Sequence, residues 1–131
     1  MVTLSLSATV SVADGPMLPL GTDLEADSYV VADLTLGAAG SGSESQEAAL
    51  LPAGGTMTLL AIRATTQAGL ATVTVTPSNG GTDGDDLTVD GVLVVANGGV
   101  LEALVAGGPR TVTIENTEAT EATVSVLATL D

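Results

Sequence analysis

The sequence predicts an all-β fold, a jelly-roll-like antiparallel β-sandwich with about eight or nine short strands and little helix. Three observations support this prediction. Apolar and polar residues alternate in several segments, as they do in strands with one buried face. Turns rich in Gly, Asn and Pro separate these segments at short intervals. Nineteen threonines also suit a pleated surface that is wet on one side. We expect a single domain over residues 1–131.

The N-terminal segment begins with the most regular alternation in the chain. Every second residue is apolar over residues 2–12, with Thr or Ser between them, which predicts a half-buried strand. The sequence DGP at 14–16 is a turn signal, and the Pro and Gly that follow predict irregular structure over residues 13–27. Residues 1–27 are therefore predicted to be an N-terminal strand plus an irregular connection, able to extend from the domain as an arm.

Three further segments complete the first half of the chain. Ser28–Leu36 alternates again and is predicted as the second strand, with the only aromatic residue, Tyr29, at its start. Residues 37–45 are rich in Gly and Ser and are predicted to form a flexible surface loop. We do not interpret this loop as a domain boundary, because the part before it is too short to fold alone. A short segment over 46–51 and a turn at 52–55 follow.

The second half of the chain alternates short apolar segments with Gly- and Asn-containing turns, which predicts a series of closely spaced strands. The best helix candidates are 22–27 and 44–50, although neither has a sustained 3.6-residue pattern with caps. The strands of this half are predicted over residues 56–64, 71–76, 87–90, 91–95, 100–105, 111–115 and 122–129.

Length and charge limit the classes of partner. The chain has 131 residues, the size of one typical domain, and its core must be built from aliphatic side chains because it has no Phe or Trp. Sixteen acidic residues against two arginines give a formal net charge of -14. Such a surface repels phosphate backbones and anionic lipid headgroups, and no apolar run is long enough for a membrane-spanning helix. We therefore expect no nucleic-acid partner and no membrane partner.

The side chains that usually perform catalysis are mostly missing, so the chain is predicted not to be an enzyme. It contains no His, Cys or Lys, and therefore has no near-neutral base, no thiolate and no partner to activate a serine. A glycosidase-type carboxylate pair is the remaining catalytic alternative, and its candidates are Asp33, Glu102 and Glu115 in predicted strands. A sugar site also usually needs aromatic platforms, which a single tyrosine does not provide.

One Gly-rich loop is a candidate cation site. Asp83, Asp85, Asp86 and Asp90 place four carboxylates within eight residues, and carboxylate oxygens are the ligands that calcium prefers. The pattern departs from an EF-hand, because Leu87 occupies a ligand position and no Glu follows at the twelfth position. A solvated hairpin loop is the other interpretation. No further cofactor is expected.

The two basic residues are conspicuous because they are the only ones. Arg63 lies inside a predicted strand, and Arg110 begins another strand after a Gly-Gly-Pro turn. In so acidic a chain a guanidinium has many possible carboxylate partners. Arg63 and Arg110 are therefore candidates for subunit contacts, and the alternatives are a salt bridge within the chain or ordinary surface charge.

A run of motifs in the second half of the chain resembles a known class of proteins. The motifs are LPAGG at 51–55, GL at 69–70 followed by TVTVT at 72–76, GPRTVTIEN at 108–116 and ATVSV at 122–126. In this order, with a Gly- and Asp-rich loop between them, they resemble the small β-rich structural proteins of tailed bacteriophages, in particular the capsid decoration (cement) proteins.

That resemblance covers about residues 50–131 and implies a function, although it carries over no binding residue. It implies a compact β-domain, often trimeric, on the outside of the virus particle, where it binds the major capsid protein and reinforces contacts between capsid subunits. We accordingly expect a homotrimer located on the capsid surface of the virion. The alternative from the residues alone is a carbohydrate- or cell-surface-binding β-sandwich module, calcium-dependent through the acidic loop.

Overall fold

The computed structural model describes residues 1–51 and 55–131, and within these residues the chain forms twelve strands and one short helix. All strand pairs are antiparallel. The predicted all-β class is therefore confirmed. The elements are β1 (Val2–Ser11), β2 (Met17–Ala26), β3 (Ser28–Leu36), β4 (Ser45–Ala49), β5 (Met57–Thr66), β6 (Gly69–Leu70), β7 (Thr72–Asn79), β8 (Thr82–Asp83), β9 (Leu87–Asp90), β10 (Val92–Val95), α1 (Gly98–Leu104), β11 (Thr111–Asn116) and β12 (Ala122–Leu130).

These strands form a hairpin and two five-stranded sheets. Strands β1 and β2 pair only with each other, and we call this hairpin the arm. Sheet I has the order β10-β5-β12-β3, with the short β6 also beside β5. Sheet II has the order β4-β11-β7-β8, with β9 also beside β7. Sheets I and II pack face to face and form the body of the protein.

The eight principal strands of the body have the connectivity of a jelly roll. The first strand, β3, pairs with the last, β12, and the second, β4, pairs with the second-last, β11. Strand β5 pairs with β10 in the same way, and β7 pairs with β9. The chain is thus a long antiparallel ribbon that rolls up until β12 meets β5 and β11 meets β7.

The core lies between the two sheets and is entirely aliphatic. Alternate residues of β7, β11 and β12 point inward and are fully buried, as the two-residue period of a strand requires. Small branched side chains allow the sheets to interlock without any aromatic residue. The largest fully buried side chains are Leu36, Leu50, Leu59, Leu60, Ile62, Leu101, Ile114, Val73, Val75, Val112, Val124 and Val126.

The prediction of irregular structure over 13–27 is wrong, because β2 occupies most of this segment. Pro19 lies within β2, opposite Thr9. In a two-stranded ribbon each strand has one unpaired edge, so a residue without an N–H group is tolerated there. The helix candidate at 22–27 falls in β2, and the candidate at 44–50 falls mostly in β4. Neither segment has helical periodicity, and pairing with a neighbouring strand determines that both are extended.

The strand predicted at 100–105 is also wrong, because this segment forms most of α1. Asn97 is the N-cap, and its Oδ1 accepts a hydrogen bond from the Val100 N–H at 3.2 Å. Leu101 is the one buried residue of the helix and belongs to the core cluster. Helix α1 therefore buries Leu101 in the body and packs Leu104 partly against the core, a spacing of three that a period-two pattern could not indicate.

The turn predicted at 52–55 falls largely on residues 52–54, which lie outside the described residues. In the part of the chain that the structure describes, no helix has the length and apolar character needed to span a lipid bilayer.

Candidate functional site

The arm has one apolar face and one polar face because residues directly opposite each other in an antiparallel pair share a face. Val2 lies opposite Ala26, Leu4 opposite Leu24, and Val10 opposite Leu18. This face carries no charged residue along its whole length. Its members are Val2, Leu4, Leu6, Ala8, Val10, Leu18, Leu20, Thr22, Leu24 and Ala26.

Exposure on the apolar face increases from the base of the arm toward its tip. Ala26 at the base is only 3% exposed, whereas Val10 and Leu18 near the tip are each 57% exposed. The tip turn is closed by a hydrogen bond from the Gly15 N–H to the Val12 carbonyl oxygen at 2.9 Å, with Asp14 in the left-handed region at φ 58°. The arm thus presents a row of large apolar side chains to its surroundings.

The opposite face of the arm is mainly polar, with Pro19 and the exposed Met17 near its tip. It carries the hydroxyl side chains of β1 and the acidic residues of β2, and Ser5 Oγ donates a hydrogen bond to Asp23 Oδ1 at 2.7 Å. Glu25 lies beside Thr3 on the same face. An isolated two-stranded ribbon is marginally stable in water, so an arm with such unequal faces is suited to packing its apolar face on another surface.

The outer face of sheet I is a second exposed apolar surface. The strand registers place Val94, Ala61, Leu127 and Val31 in one row across all four principal strands. Val94 is 47% exposed and Val31 is 56% exposed. Val92 and Tyr29, at opposite edges of the sheet, extend the same surface and are also exposed.

The outer face of sheet II has the opposite character. Its outward positions on β4, β7, β9 and β11 are mainly hydroxyl-bearing, with Ala49 as the only apolar member. Three carboxylates, from Glu47, Glu115 and Asp90, lie among these hydroxyls, and no basic residue does. This face is well solvated, and the two outer faces of the sandwich are therefore chemically different.

The two arginines lie at different places in the body. Arg63 points outward from the middle of sheet I, next to Ser125 and Val92 on the neighbouring strands. Ser125 Oγ in turn donates a hydrogen bond to Asp33 Oδ1 at 2.8 Å. Arg110 lies just before β11, where its backbone N–H donates a hydrogen bond to the Ser78 carbonyl oxygen at 2.8 Å. The two are not brought together, and only Arg63 lies on an exposed apolar face.

The structure spreads the four predicted calcium ligands along one edge of sheet II and does not gather them. Asp83 lies opposite Ser78, and Asp90 lies opposite Thr72. These partners are six positions apart on β7, or about 20 Å at the rise of a strand. Among the described residues, no three acidic side chains are placed to hold one metal ion.

Two of these four carboxylates have hydrogen-bond partners in β7. Thr76 Oγ1 donates to Asp86 Oδ1 at 2.6 Å, and Thr72 Oγ1 donates to Asp90 Oδ1 at 3.0 Å. Asp85 is exposed in the loop between β8 and β9. The interpretation as a solvated loop fits this arrangement better than the calcium interpretation.

The three carboxylates proposed for a glycosidase-type pair are also apart. Asp33 is on the outer face of sheet I, Glu115 is on the outer face of sheet II, and Glu102 is on α1. An open groove of about 680 Å³ lies at one end of the body, and Glu121 is its only ionisable lining residue. We assign no chemistry to this groove, whose lining residues are Thr65, Thr66, Gln67, Ala68, Thr120, Glu121 and Thr123.

Sequence reasoning missed the second strand of the arm, although a signal for it was present. Leu18, Leu20, Leu24 and Ala26 recur at even spacing, as in a strand with one apolar face. Pro19 and Gly21 obscured the pattern because both residues usually interrupt strands. Comparison of the chain with protein-family models, with curated proteins and with solved structures finds no match.

Proposed function

We propose that this chain is a structural protein of a virus particle, a decoration protein that binds the outside of a phage capsid and stabilises contacts between major capsid proteins. It acts as a homo-oligomer, which we expect to be a trimer, and it is not an enzyme. The sequence resemblance in the second half of the chain is the origin of this proposal, and the distribution of exposed apolar residues is its physical support.

The observation that carries the proposal is the two-sided surface of the molecule. Large exposed apolar side chains are concentrated on the arm and on the outer face of sheet I, while the outer face of sheet II is hydroxyl-rich and acidic. Exposed apolar patches of this kind mark contacts between proteins. A protein held by other subunits on one side and facing water on the other has this distribution.

The chemistry of the body is consistent with a scaffold. The sandwich is closed by backbone pairing and aliphatic packing, and within the described residues every buried side-chain N or O atom has a hydrogen-bond partner. A rigid jelly roll with an aliphatic core gives a particle surface mechanical support without depending on a cofactor.

The carbohydrate-binding alternative has less support. Tyr29 is the only aromatic platform, and it stands at an edge of sheet I. The acidic loop that would make binding calcium-dependent does not bring its carboxylates together. Binding of glycans in the presence of calcium, lost in a variant without Asp83 and Asp90, would reverse this preference.

The test uses shells assembled from the major capsid protein encoded in the same genome. Purified chain is titrated onto these shells, which are then separated on a density gradient, and the bound chain is quantified by mass spectrometry. We expect saturable binding at a fixed ratio to capsid subunits and a higher melting temperature of the decorated shells. Absence of saturable binding, or a genome without a capsid protein, contradicts the proposal.

A further inference from the structure

We propose that the apolar face of the arm packs onto the outer face of sheet I of a second copy of this chain, so that the copies hold one another by exchanged arms. The contact forms in the isolated protein and does not depend on binding to a particle. This contact is the interface of the proposed homo-oligomer, and neither the composition nor the strand pattern of the sequence located it.

The body of its own chain leaves the apolar face of the arm uncovered near the tip. Only Asp27 separates β2 from β3, and its N–H donates a hydrogen bond to the Leu130 carbonyl oxygen at 2.8 Å. The arm therefore leaves the body as a continuation of the edge strand. The side chains of its apolar face stay exposed near the tip, with Leu20 at 45% and Leu18 at 57%. A surface outside its own chain must cover them if they are to be buried.

Charge decides which face of a second copy receives the arm. The apolar face of the arm has no charged residue, and the chain as a whole carries a net charge of -14, so two copies repel each other over most of their surfaces. On the outer face of sheet I, Asp33 and Arg63 give a net charge of zero. On sheet II the same contact would cover three carboxylates without a basic partner, which is costly.

The dimensions of the two surfaces also match. A ten-residue strand is roughly 33 Å long, and a two-stranded ribbon with its side chains is about 10 Å wide, so the arm covers about 330 Å². The strands of sheet I that receive it are nine or ten residues long in β3, β5 and β12. Stacking of one sheet on another is the usual way in which such faces are buried.

Exchange of arms doubles the area that each copy buries. In a closed ring each copy covers at most about 330 Å² with its own arm and has as much covered by another, so it buries roughly 660 Å² over its two contacts, compared with the roughly 800 Å² per partner of a standard interface. A single arm contact would fall well below that. Because the arm continues directly into β3, each copy offers both surfaces side by side, and a closed ring of copies satisfies all of them.

The first experiment measures molar mass by light scattering after size exclusion. We expect the wild-type chain to run at a multiple of 12.7 kDa. Two variants should run as monomers, one with acids on the arm (Val10→Glu with Leu18→Glu) and one with acids on sheet I (Val31→Glu with Val94→Glu). Charge-matched controls on the polar face of the arm (Ser7→Glu with Ser11→Glu) should keep the wild-type mass. Circular dichroism checks that every variant is folded.

The second experiment needs no disruptive substitution and uses the absence of cysteine from the chain. One preparation carries Leu18→Cys on the arm, another carries Val31→Cys on sheet I, and the mixture is treated with a short bismaleimide crosslinker. We expect a covalent arm-to-sheet dimer. Replacing the second preparation by one carrying Thr88→Cys, on the outer face of sheet II, should reduce the product at least tenfold.

Three outcomes would overturn the inference. One is a wild-type chain that is monomeric at micromolar concentration. Another is an oligomer that survives both pairs of acidic substitutions, and the third is equal crosslinking to sheet I and sheet II. A chain that does not oligomerise through its arm but binds shells at a fixed ratio leaves the proposed function intact. An arm-exchanged oligomer that does not bind shells refutes only the proposed role on the particle.

Discussion

Asn116 fixes the connection between β11 and β12 and is the most informative single residue to remove. It is fully buried, with an exposed fraction of 0%. Its Nδ2 donates hydrogen bonds to the carbonyl oxygens of Gly37 at 2.9 Å and Thr120 at 2.8 Å, and its Oδ1 accepts one from the Glu118 N–H at 2.9 Å. One amide therefore joins the β11–β12 turn to the loop after β3.

The variant Asn116→Ala removes all three of these hydrogen bonds. A net contribution of about 1 kcal/mol for each bond gives an expected loss of roughly 3 kcal/mol in the free energy of unfolding. The partners are backbone groups in partly exposed segments, so water relieves some of the penalty, which keeps the loss near this figure instead of at the upper limit for buried groups.

Urea denaturation at one fixed protein concentration measures this loss, because the stability of an oligomer depends on concentration. With a slope of about 2 kcal/mol per molar urea, the midpoint of Asn116→Ala should fall by roughly 1.5 M. Gln46→Ala, at an exposed position of β4, is the control and should change the free energy by less than about 0.5 kcal/mol. A change for Asn116→Ala as small as that of the control would refute the reasoning.

Asn116→Asp adds a pH dependence to the same test. An oxygen of the new carboxyl replaces Nδ2 and faces the same two carbonyl oxygens, to which an ionised carboxylate has no hydrogen to donate. The charged form is therefore destabilised, and the pKa of this carboxyl is raised in the folded protein. The destabilisation is therefore complete at pH values above the folded pKa and lessens as the pH falls through it. A destabilisation that is the same at neutral and acidic pH, after subtraction of the wild-type profile, contradicts this geometry.

The remaining predictions concern the helix, one glycine, the arm and calcium. Leu101→Ala should lower the free energy of unfolding by about 2–5 kcal/mol in urea denaturation, since it empties a core position. Gly84→Ala should abolish soluble folded protein on expression, because the added Cβ would clash with the backbone carbonyl oxygen of Leu104. Deletion of residues 1–25 should leave the far-UV spectrum of the body intact, as none of them belongs to the core cluster. Millimolar calcium should leave the melting temperature within about 1 °C of its value in chelator, given the spread of the carboxylates over 83–90.

Particular residues show how far sequence reasoning reached. The alternation in Ser28–Leu36 correctly predicted β3, in which Leu34 and Leu36 lie in the core and Asp33 lies outside, because side-chain direction in a strand depends only on local geometry. Sequence reasoning placed Arg63 inside a strand, and the structure shows that it points outward in β5. This reasoning could not separate α1 from a strand, since only Leu101 and the partly buried Leu104 of the helix pack against the core, and two residues are too few to define a period.

Other features depended on contacts between distant segments. Pro19 looked like the end of a strand, and only pairing with β1 shows that its position tolerates a missing N–H. The four carboxylates from Asp83 to Asp90 are close in sequence, yet β8 and β9 pair with opposite ends of β7 and hold the outer two far apart. Closeness along the chain is a poor guide to closeness in an extended backbone.

The sequence by itself determined that this protein is an acidic all-β sandwich with an aliphatic core. Two-residue periodicity, turn residues and composition are properties of short segments, so they can be recognised without knowledge of the contacts between distant segments. Only the tertiary structure decided that β1 pairs with β2, which strands are neighbours in each sheet, and that exposed apolar side chains collect on the arm and on sheet I. Register and sheet order are set by pairings between residues up to about a hundred positions apart, such as Ser28 with Leu130. Such pairings are chosen by the free energy of the whole fold, and no single segment encodes them.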